Sequence, residues 1–307
     1  MTTPFETSDR SSSAAHRDIS RRSVLRAAGL TALATTVGVT AVAKAAPARA
    51  SVVNTTSLVD PTTPTGAAPL VATAHNHLVF SDEFHANALN ASRWNALEVD
   101  RGAGNSGVDY WYKADNVSVQ GGTLALAISK LAENSYGGSR VDTQGKYDFT
   151  FGTIEQRVHV PPTTGHLAAL WLQAANGLTP GGVTDGTARD GAEIDIAETF
   201  SPDDEYGVTI HWDGYGAAHQ ESNQVVQAPG LHESYFHTFT TEWTNDYLNF
   251  YFDGTLVRSI TDPILISQVP EFIILSNEVI PYAQGNITTS PLDSSADVYV
   301  DYVRVWQ

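Results

Sequence analysis

The chain has 307 residues, 42% of them hydrophobic, contains no cysteine and has a formal net charge of −17. This length and apolar content suffice for a well-buried core in one large or two small domains. The missing cysteine excludes disulfides, thiolate metal sites and a cysteine nucleophile, while the negative charge favours a neutral partner over nucleic acid, anionic membranes or sulfated polymers.

The first fifty residues have the pattern of an export signal. An arginine pair, Arg21-Arg22, precedes a weakly apolar run over residues 27–43, and Ala48-Arg49-Ala50 offers the small residues that a signal peptidase reads. The pair resembles a twin-arginine signal. A membrane anchor is the alternative, but a spanning helix needs ~20 strongly apolar residues, and this run is mostly alanine and threonine. We therefore expect cleavage near Ala50 and a secreted, extracellular protein.

The next segment, residues 51–77, is rich in threonine, proline, alanine and valine. Pro61, Pro64 and Pro69 interrupt any regular element. This composition indicates a linker or a loosely packed N-terminal arm.

From Leu78 onward, short runs alternate apolar and polar residues and are separated by breaks rich in glycine, proline and asparagine. Alternation with period 2 predicts half-buried strands, and Asp253-Gly254 is a hairpin-type turn. The clearest runs are residues 123–128, 152–160, 247–252, 255–258 and 297–306. Without a long amphipathic helix or an internal repeat, residues 78–307 are predicted to form one all-β domain, a sandwich of two antiparallel sheets.

The most informative run is Asp190-Gly-Ala-Glu-Ile-Asp-Ile-Ala-Glu198. In a strand, Glu193 and Asp195 project from the same face because they are two residues apart. Glu198 would face the other way, unless a β-bulge near Ile196-Ala197 adds one residue and turns it back. Three like charges on one face are costly for folding, so this pattern points to function.

Such a strand suits retaining glycoside hydrolysis, which needs two carboxyl groups about 5–5.5 Å apart. One attacks the anomeric carbon, and the other protonates the leaving oxygen and later activates water. Like charges in proximity keep one of two such groups protonated. A solvated acidic strand and a structural calcium site are the alternatives, and the spacing alone does not decide among them.

Five motifs in the same order resemble glycoside hydrolase family 16, and cover most of residues 78–307. Residues 193–198 match its bulged E-x-D-x-x-E signature, typical of the laminarinase-like branch. The other matching segments are residues 80–84 with Arg93-Trp94, residues 151–157, residues 236–243 followed by Asp253-Gly254, and residues 300–305. The resemblance implies a concanavalin-like β-jelly roll with a cleft across its concave sheet.

The resemblance also implies roles for individual residues. Glu193 matches the nucleophile, Asp195 the assisting acid and Glu198 the general acid/base. Sugar-binding positions are matched by Asn105, Glu155, Arg157, Trp171, His211 and Trp212. An aromatic side chain in the cleft would stack on a sugar face, whereas core packing is the alternative for both tryptophans.

Many members of the family bind a structural calcium ion on the convex side, between the chain ends. Asp301 and backbone carbonyls near Glu83 and Gly122 match that site, and oxygen ligands of this kind suit Ca²⁺. No cofactor is expected for the chemistry itself, and a monomer is expected.

Two segments depart from the family pattern. Residues 188–192 and 165–171 lack the Trp-Pro elements that help to shape the sugar subsites. We therefore expect endo-cleavage of β-1,3- or mixed-linkage β-glucan, with a β-galactan as the alternative substrate. A transglycosylase would use the same carboxylates. A carbohydrate-binding lectin on the same sandwich is a further alternative, although it would be expected to lack a catalytic glutamate.

Overall fold

The computed structural model describes residues 57–102, 108–175, 182–280 and 286–307. The predicted export signal and Asn105 lie outside these residues. The described chain consists of strands and a few single-turn 3₁₀ helices, which confirms the all-β prediction. In this part of the chain no helix has the length and apolar character to cross a bilayer.

Eighteen strands occur in the described residues: β1 (Leu78–Asp82), β2 (Asn95–Ala96), β3 (Val99–Asp100), β4 (Asp109–Tyr112), β5 (Val117–Gln120), β6 (Thr123–Leu126), β7 (Ser129–Ala132), β8 (Ser135–Asp142), β9 (Gly152–His159), β10 (His166–Ala174), β11 (Glu193–Thr199), β12 (Glu205–Trp212), β13 (Gln220–Gln227), β14 (His237–Trp243), β15 (Leu248–Phe252), β16 (Thr255–Ile260), β17 (Glu271–Val279) and β18 (Val298–Trp306). The 3₁₀ helices are Ala114–Asn116, Pro263–Leu265, Ile287–Thr289 and Ser294–Ala296.

These strands form two sheets. The first has the order β16-β15-β14-β9-β18-β6-β5, with β1 also paired to β18. The second has the order β13-β12-β11-β10-β17-β8-β4-β3, with β2 and β7 also paired to β8. All these pairs are antiparallel except that of β4 with β8. The predicted turn joins β15 to β16, and both Asp253 and Gly254 have positive φ, as a tight hairpin requires.

The main core lies between the sheets. It takes Ile154 and Val158 from β9 of the first sheet, and Ile194 and Ile210 from β11 and β12 of the second. Because side chains alternate along a strand, the residues directly adjacent to these point away from the core. The acidic residues of β11 therefore lie on the outer face of the second sheet.

The outer face of the first sheet is covered by the arm, residues 57–77, which contains no strand. Side chains of the sheet accept its backbone N–H groups: Glu155 binds Leu70 N at 2.7 Å and Glu242 binds Ala74 N at 2.8 Å. Residues 57–77 of the arm thus pack on the side of the sandwich opposite the acidic strand.

Candidate active site

The predicted β-bulge is present in β11. On β10, Trp171 pairs with Asp195 and Leu170 with Ala197, so that Ile196 has no partner there. On β12, the three-residue step from Asp195 to Glu198 matches a step of only two residues. The extra residue returns Glu198 to the face that carries Glu193 and Asp195. All three carboxylates therefore lie on one face of one strand.

Neighbouring strands place the carboxylates in a regular row. Glu193, Asp195 and Glu198 pair with Gln173, Trp171 and Ala169 on β10, which are spaced two residues apart. Asp195 is therefore midway between the two glutamates. Their relative exposures are 0% for Glu193 and Asp195 and 1% for Glu198, so this face is shielded from water.

Glu193 receives hydrogen bonds from two different elements. Gln173 Nε2 donates to Glu193 Oε2 at 3.2 Å, and the hydroxyl of Tyr215, in the loop after β12, donates to the same oxygen. Donors to a buried carboxylate stabilise its charged form. The two donors therefore hold the Glu193 carboxylate in a fixed orientation.

His211 joins two of the acidic side chains. Its Nε2 atom lies 3.2 Å from Asp195 Oδ2 and 4.0 Å from Glu193 Oε1. The register of β11 with β12 brings it there, because His211 pairs directly with Glu193. An imidazole in this position can donate a hydrogen bond to Asp195 and orient it.

A further carboxyl group lies behind the acidic strand. Glu271, at the start of β17, is fully buried and accepts hydrogen bonds from Ser267 Oγ at 2.5 Å and from Ala192 N at 3.2 Å. Burial raises the pKa of Glu271 well above its usual value, and the nearby charge of Glu193 raises it further. This shift favours the neutral form of Glu271, which holds the backbone of Ala192, the residue preceding Glu193.

Guanidinium groups and aromatic rings extend this face across β17, β8 and β4. The Arg140 guanidinium lies 4.9 Å from the ring centroid of Trp171, and the Arg101 guanidinium 4.6 Å from that of Tyr112. Arg101 also forms an ion pair of 2.6 Å with Glu278. Polar groups beside aromatic rings are typical of sugar-binding surfaces. This side of the face is a candidate sugar-binding surface.

A family model for glycosyl hydrolases family 16 matches residues 103–280, more than half of the chain. The chain belongs to this family. It is 29% identical to a beta-glucanase from Rhodothermus marinus, over 76% of this chain and 86% of that enzyme. It is 25% identical to glucan endo-1,3-beta-glucosidase A1 from Niallia circulans, over 77% of this chain but only 38% of that longer protein.

A solved structure agrees with these relatives. The endo-beta-1,3-glucanase from Pyrococcus furiosus has a TM-score of 0.61 and 25% identity to this chain, and the match covers 78% of this chain and 98% of that one. Membership of family 16 makes the protein a glycoside hydrolase and agrees with the jelly-roll sandwich of two sheets.

The family 16 motifs led us to expect Glu155 and Arg157 beside the sugar, and the structure corrects this. Both lie on β9, in the first sheet, and face outward on the side opposite the acidic strand. Glu155 accepts hydrogen bonds from Leu70, Thr240 and Tyr302 at 2.7, 3.0 and 2.9 Å. Glu155 thus holds the arm and two neighbouring strands, and the structure places this pair away from the acidic strand.

The two tryptophans expected in the cleft have different positions. Trp212 belongs to the main core between the sheets, on the face opposite His211, and only 7% of it is exposed. This position agrees with the alternative of core packing. Trp171 lies on the outer face beside Asp195 and donates through Nε1 to Ser276 Oγ at 3.1 Å. Trp171 and His211 thus lie on the same face as the three carboxylates.

The residues expected near calcium lie apart from the acidic strand. The Asp301 carboxylate forms an ion pair of 2.6 Å with Arg157, and Glu83 accepts two hydrogen bonds from Arg304, at 2.9 and 2.7 Å. Gly122 has a φ of +85° in the turn before β6. The Asp301 carboxylate is thus paired with an arginine as the side chains stand, and these contacts do not involve the backbone carbonyls near Glu83 and Gly122. The calcium site stays a prediction.

Several residues of the candidate site were missed in the sequence. Gln173, Tyr215, Glu271 and Arg140 come from other strands or loops, so no local motif marks them. The sequence does mark Arg140, because Asp142 follows it two residues later on β8. The two side chains form a hydrogen bond of 2.9 Å. An Arg-x-Asp pair on a strand places both side chains on one face.

Proposed function

We propose that the protein is a secreted, monomeric endo-β-glucanase that cleaves β-1,3- or mixed-linkage β-glucan with retention of configuration. The observation that carries this proposal is the bulge in β11, which brings Glu193, Asp195 and Glu198 to one face. The names of the relatives support a β-glucan substrate. The net charge of −17 also favours a neutral polymer.

In the first step, the Glu193 carboxylate attacks the anomeric carbon while the bond from that carbon to the leaving oxygen breaks. Glu198 donates its proton to this oxygen. In the second step, Glu198 takes a proton from water, whose oxygen displaces Glu193 from the same carbon. The proton is thereby returned to Glu198, and the new hydroxyl has the configuration of the original bond.

Neighbouring side chains support these two roles. Gln173 and Tyr215 both donate to Glu193, which keeps its carboxylate oriented for attack. Asp195, midway along the row and bound by His211, can donate or accept a hydrogen bond as charge on Glu193 changes. Both donors bind Oε2 of Glu193, so we assign the attack on the anomeric carbon to its other oxygen, Oε1.

The test is to incubate the protein with laminarin, lichenan, β-1,3-galactan and agarose, with and without calcium. New reducing ends and product sizes are followed, and NMR reports the anomer that forms first. We expect short oligosaccharides from laminarin or lichenan, with the β-anomer formed first. An α-anomer formed first would exclude retention, and release from a galactan alone would overturn the glucan assignment.

Variants assign the roles of the two glutamates. Glu193→Ala should abolish release, and sodium azide should restore turnover with an α-glycosyl azide as the product. Glu198→Ala should lose about 10²–10⁴-fold in rate, and azide should give the β-glycosyl azide. Glu205→Ala, on the surface end of β12, is the matched control and should be active. Undiminished activity of Glu193→Ala would contradict the proposal.

A further inference from the structure

A second group of side chains with metal-binding chemistry lies beside the acidic strand, on the side away from β10. The register of β12 with β13 places Glu221 opposite His211. His219 precedes β13 and lies with its Nε2 atom 3.0 Å from His211 Nδ1. Glu221 Oε2 lies 3.8 Å from the same His211 nitrogen. The three atoms all lie within 4.8 Å of one another.

The side chains of this group are largely buried, so each of their polar atoms needs a partner other than bulk water. His211 and His219 are both buried, and their rings stack with centroids 5.0 Å apart. Glu221 Oε2 is shielded from solvent, yet it accepts no hydrogen bond from any residue that the structure describes. A buried carboxylate oxygen without a donor is costly. A cation at this position would satisfy it.

We propose that His211 Nδ1, His219 Nε2 and Glu221 Oε2 bind one Zn²⁺ ion. Two imidazoles and a carboxylate are typical zinc ligands, and a water molecule would complete a tetrahedron. Ligand atoms about 2 Å from a tetrahedral zinc are about 3.3 Å apart. Two of the observed separations, 3.0 and 3.8 Å, lie on either side of this value, and the third pair lies within 4.8 Å. The ion would replace the hydrogen bond that now joins the two imidazoles.

Zinc in this position would act on the acidic strand through His211. With Nδ1 bound to the metal, the ring carries its proton on Nε2, which lies 3.2 Å from Asp195 Oδ2. Carboxylate–histidine–zinc arrangements of this kind fix both the tautomer and the ring orientation. The ion would thus hold His211 as a donor to Asp195 while leaving Glu193 and Glu198 without a metal. The site is independent of whether the protein cleaves a glucan.

A competing position shares one residue with this site. Glu193, Asp195 and His211, through its other nitrogen, also lie close enough to hold an ion. Metal in that position would occupy the proposed nucleophile. Only the proposed zinc site uses His219 and Glu221, and only the competing position uses Glu193. Variants of these residues therefore distinguish the two positions.

The test is a calorimetric titration of chelator-treated protein with ZnCl₂, repeated with Co²⁺ to follow its visible absorption. His219→Ala removes a ligand and should lower the affinity of the site more than tenfold, since even changes around zinc ligands cost about 10–100-fold. Glu221→Gln should weaken it in the same direction. Glu193→Gln should leave binding unchanged, as should the controls His85→Ala and Glu205→Gln at the surface.

Several outcomes would overturn the proposal. They are the absence of zinc binding to the unmodified protein, and equal affinities of the unmodified protein, His219→Ala and Glu221→Gln. Binding lost in Glu193→Gln but kept in His219→Ala would move the ion to the competing position. Thermal unfolding of each variant checks its fold. Glu221, on an edge strand and partly exposed, decides the question if His219→Ala does not fold.

Discussion

The side-chain amide of Gln173 donates a 3.2 Å hydrogen bond to Glu193 Oε2, and the two residues face each other on β10 and β11. Glu193 has no exposed surface, so protein donors replace water around its carboxylate. A hydrogen bond to a charged group contributes about 1.5–3 kcal/mol. The orientation of the proposed nucleophile therefore depends on a residue of the neighbouring strand.

Replacing Gln173 by alanine should lower kcat/KM on laminarin or lichenan by about 10–100-fold, which corresponds to the loss of that hydrogen bond. Most of the loss should be in kcat, because the contact positions the attacking group. Gln227→Ala, at the exposed end of β13, is the matched control and should retain full activity. A kcat/KM of Gln173→Ala within twofold of the unmodified protein would show that Gln173 does not support Glu193.

Glu155 should matter for stability and not for activity. It accepts hydrogen bonds from the arm and from β14 and β18 while almost fully buried. Glu155→Gln removes the charge and turns one acceptor into a donor, which should cost about 1–3 kcal/mol in the free energy of unfolding. Limited proteolysis should then cut residues 57–77 sooner, with kcat/KM unchanged.

Arg157→Gln is the control for this experiment. Its ion pair with Asp301 is partly exposed on both sides, so its loss should cost less than about 1 kcal/mol. If Glu155→Gln or Arg157→Gln raised KM for a glucan several-fold without loss of stability, the outer face of the first sheet would contribute to sugar binding after all.

Variants of Trp212 distinguish a role in core packing from a role in sugar binding. It lies in the core between the sheets, so Trp212→Ala should lower the free energy of unfolding by about 3–5 kcal/mol. Trp212→Phe should cost less, and KM for the polymer should be unchanged in the folded variant. Thermal or denaturant unfolding measures the first quantity and steady-state kinetics the second. A raised KM at unchanged stability would return Trp212 to the cleft.

The sequence predicts those features of the site that depend on the spacing of residues along a single strand. The bulge at Ile196 and the common face of the three carboxylates follow from local spacing, and both are present. The alternation of side chains along a strand also shows that His211 and Trp212, which are adjacent, point to opposite faces. Only one of them can therefore lie on the face of the three carboxylates. The alternation along a strand does not say which sheet the strand joins, so it could not test the position that the family motifs implied for Glu155 and Arg157.

Long-range pairing determines the rest. Gln173 contacts Glu193 because β10 pairs with β11. Glu271 binds the backbone of Ala192, although the two residues are 79 positions apart in the chain. No local pattern marks such partners, since they depend on how different strands pair, which the spacing of residues along one strand does not show. The candidate site is therefore predictable in its central strand and much less so in the side chains that hold it.

The buried acid Glu271 gives a prediction for the dependence of stability on pH. Burial and the charge of Glu193 raise its pKa well above the usual 4.5 in the folded protein. Above about pH 4.5 the unfolded chain has released this proton while the folded protein still holds it. The folded state then binds more protons, so the contribution of Glu271 to stability falls as pH rises towards its raised pKa.

Glu271→Gln removes this titration and keeps an oxygen that can accept from Ser267 and Ala192. The melting temperature of the variant, relative to that of the unmodified protein, should therefore increase as pH rises from about 5 to 9. Glu205→Gln, at a surface position, should show no such trend. A difference between Glu271→Gln and the unmodified protein that stays constant over this range would mean that Glu271 is ionised in the folded state. In that case the charge next to Ala192 would be part of the electrostatics of Glu193.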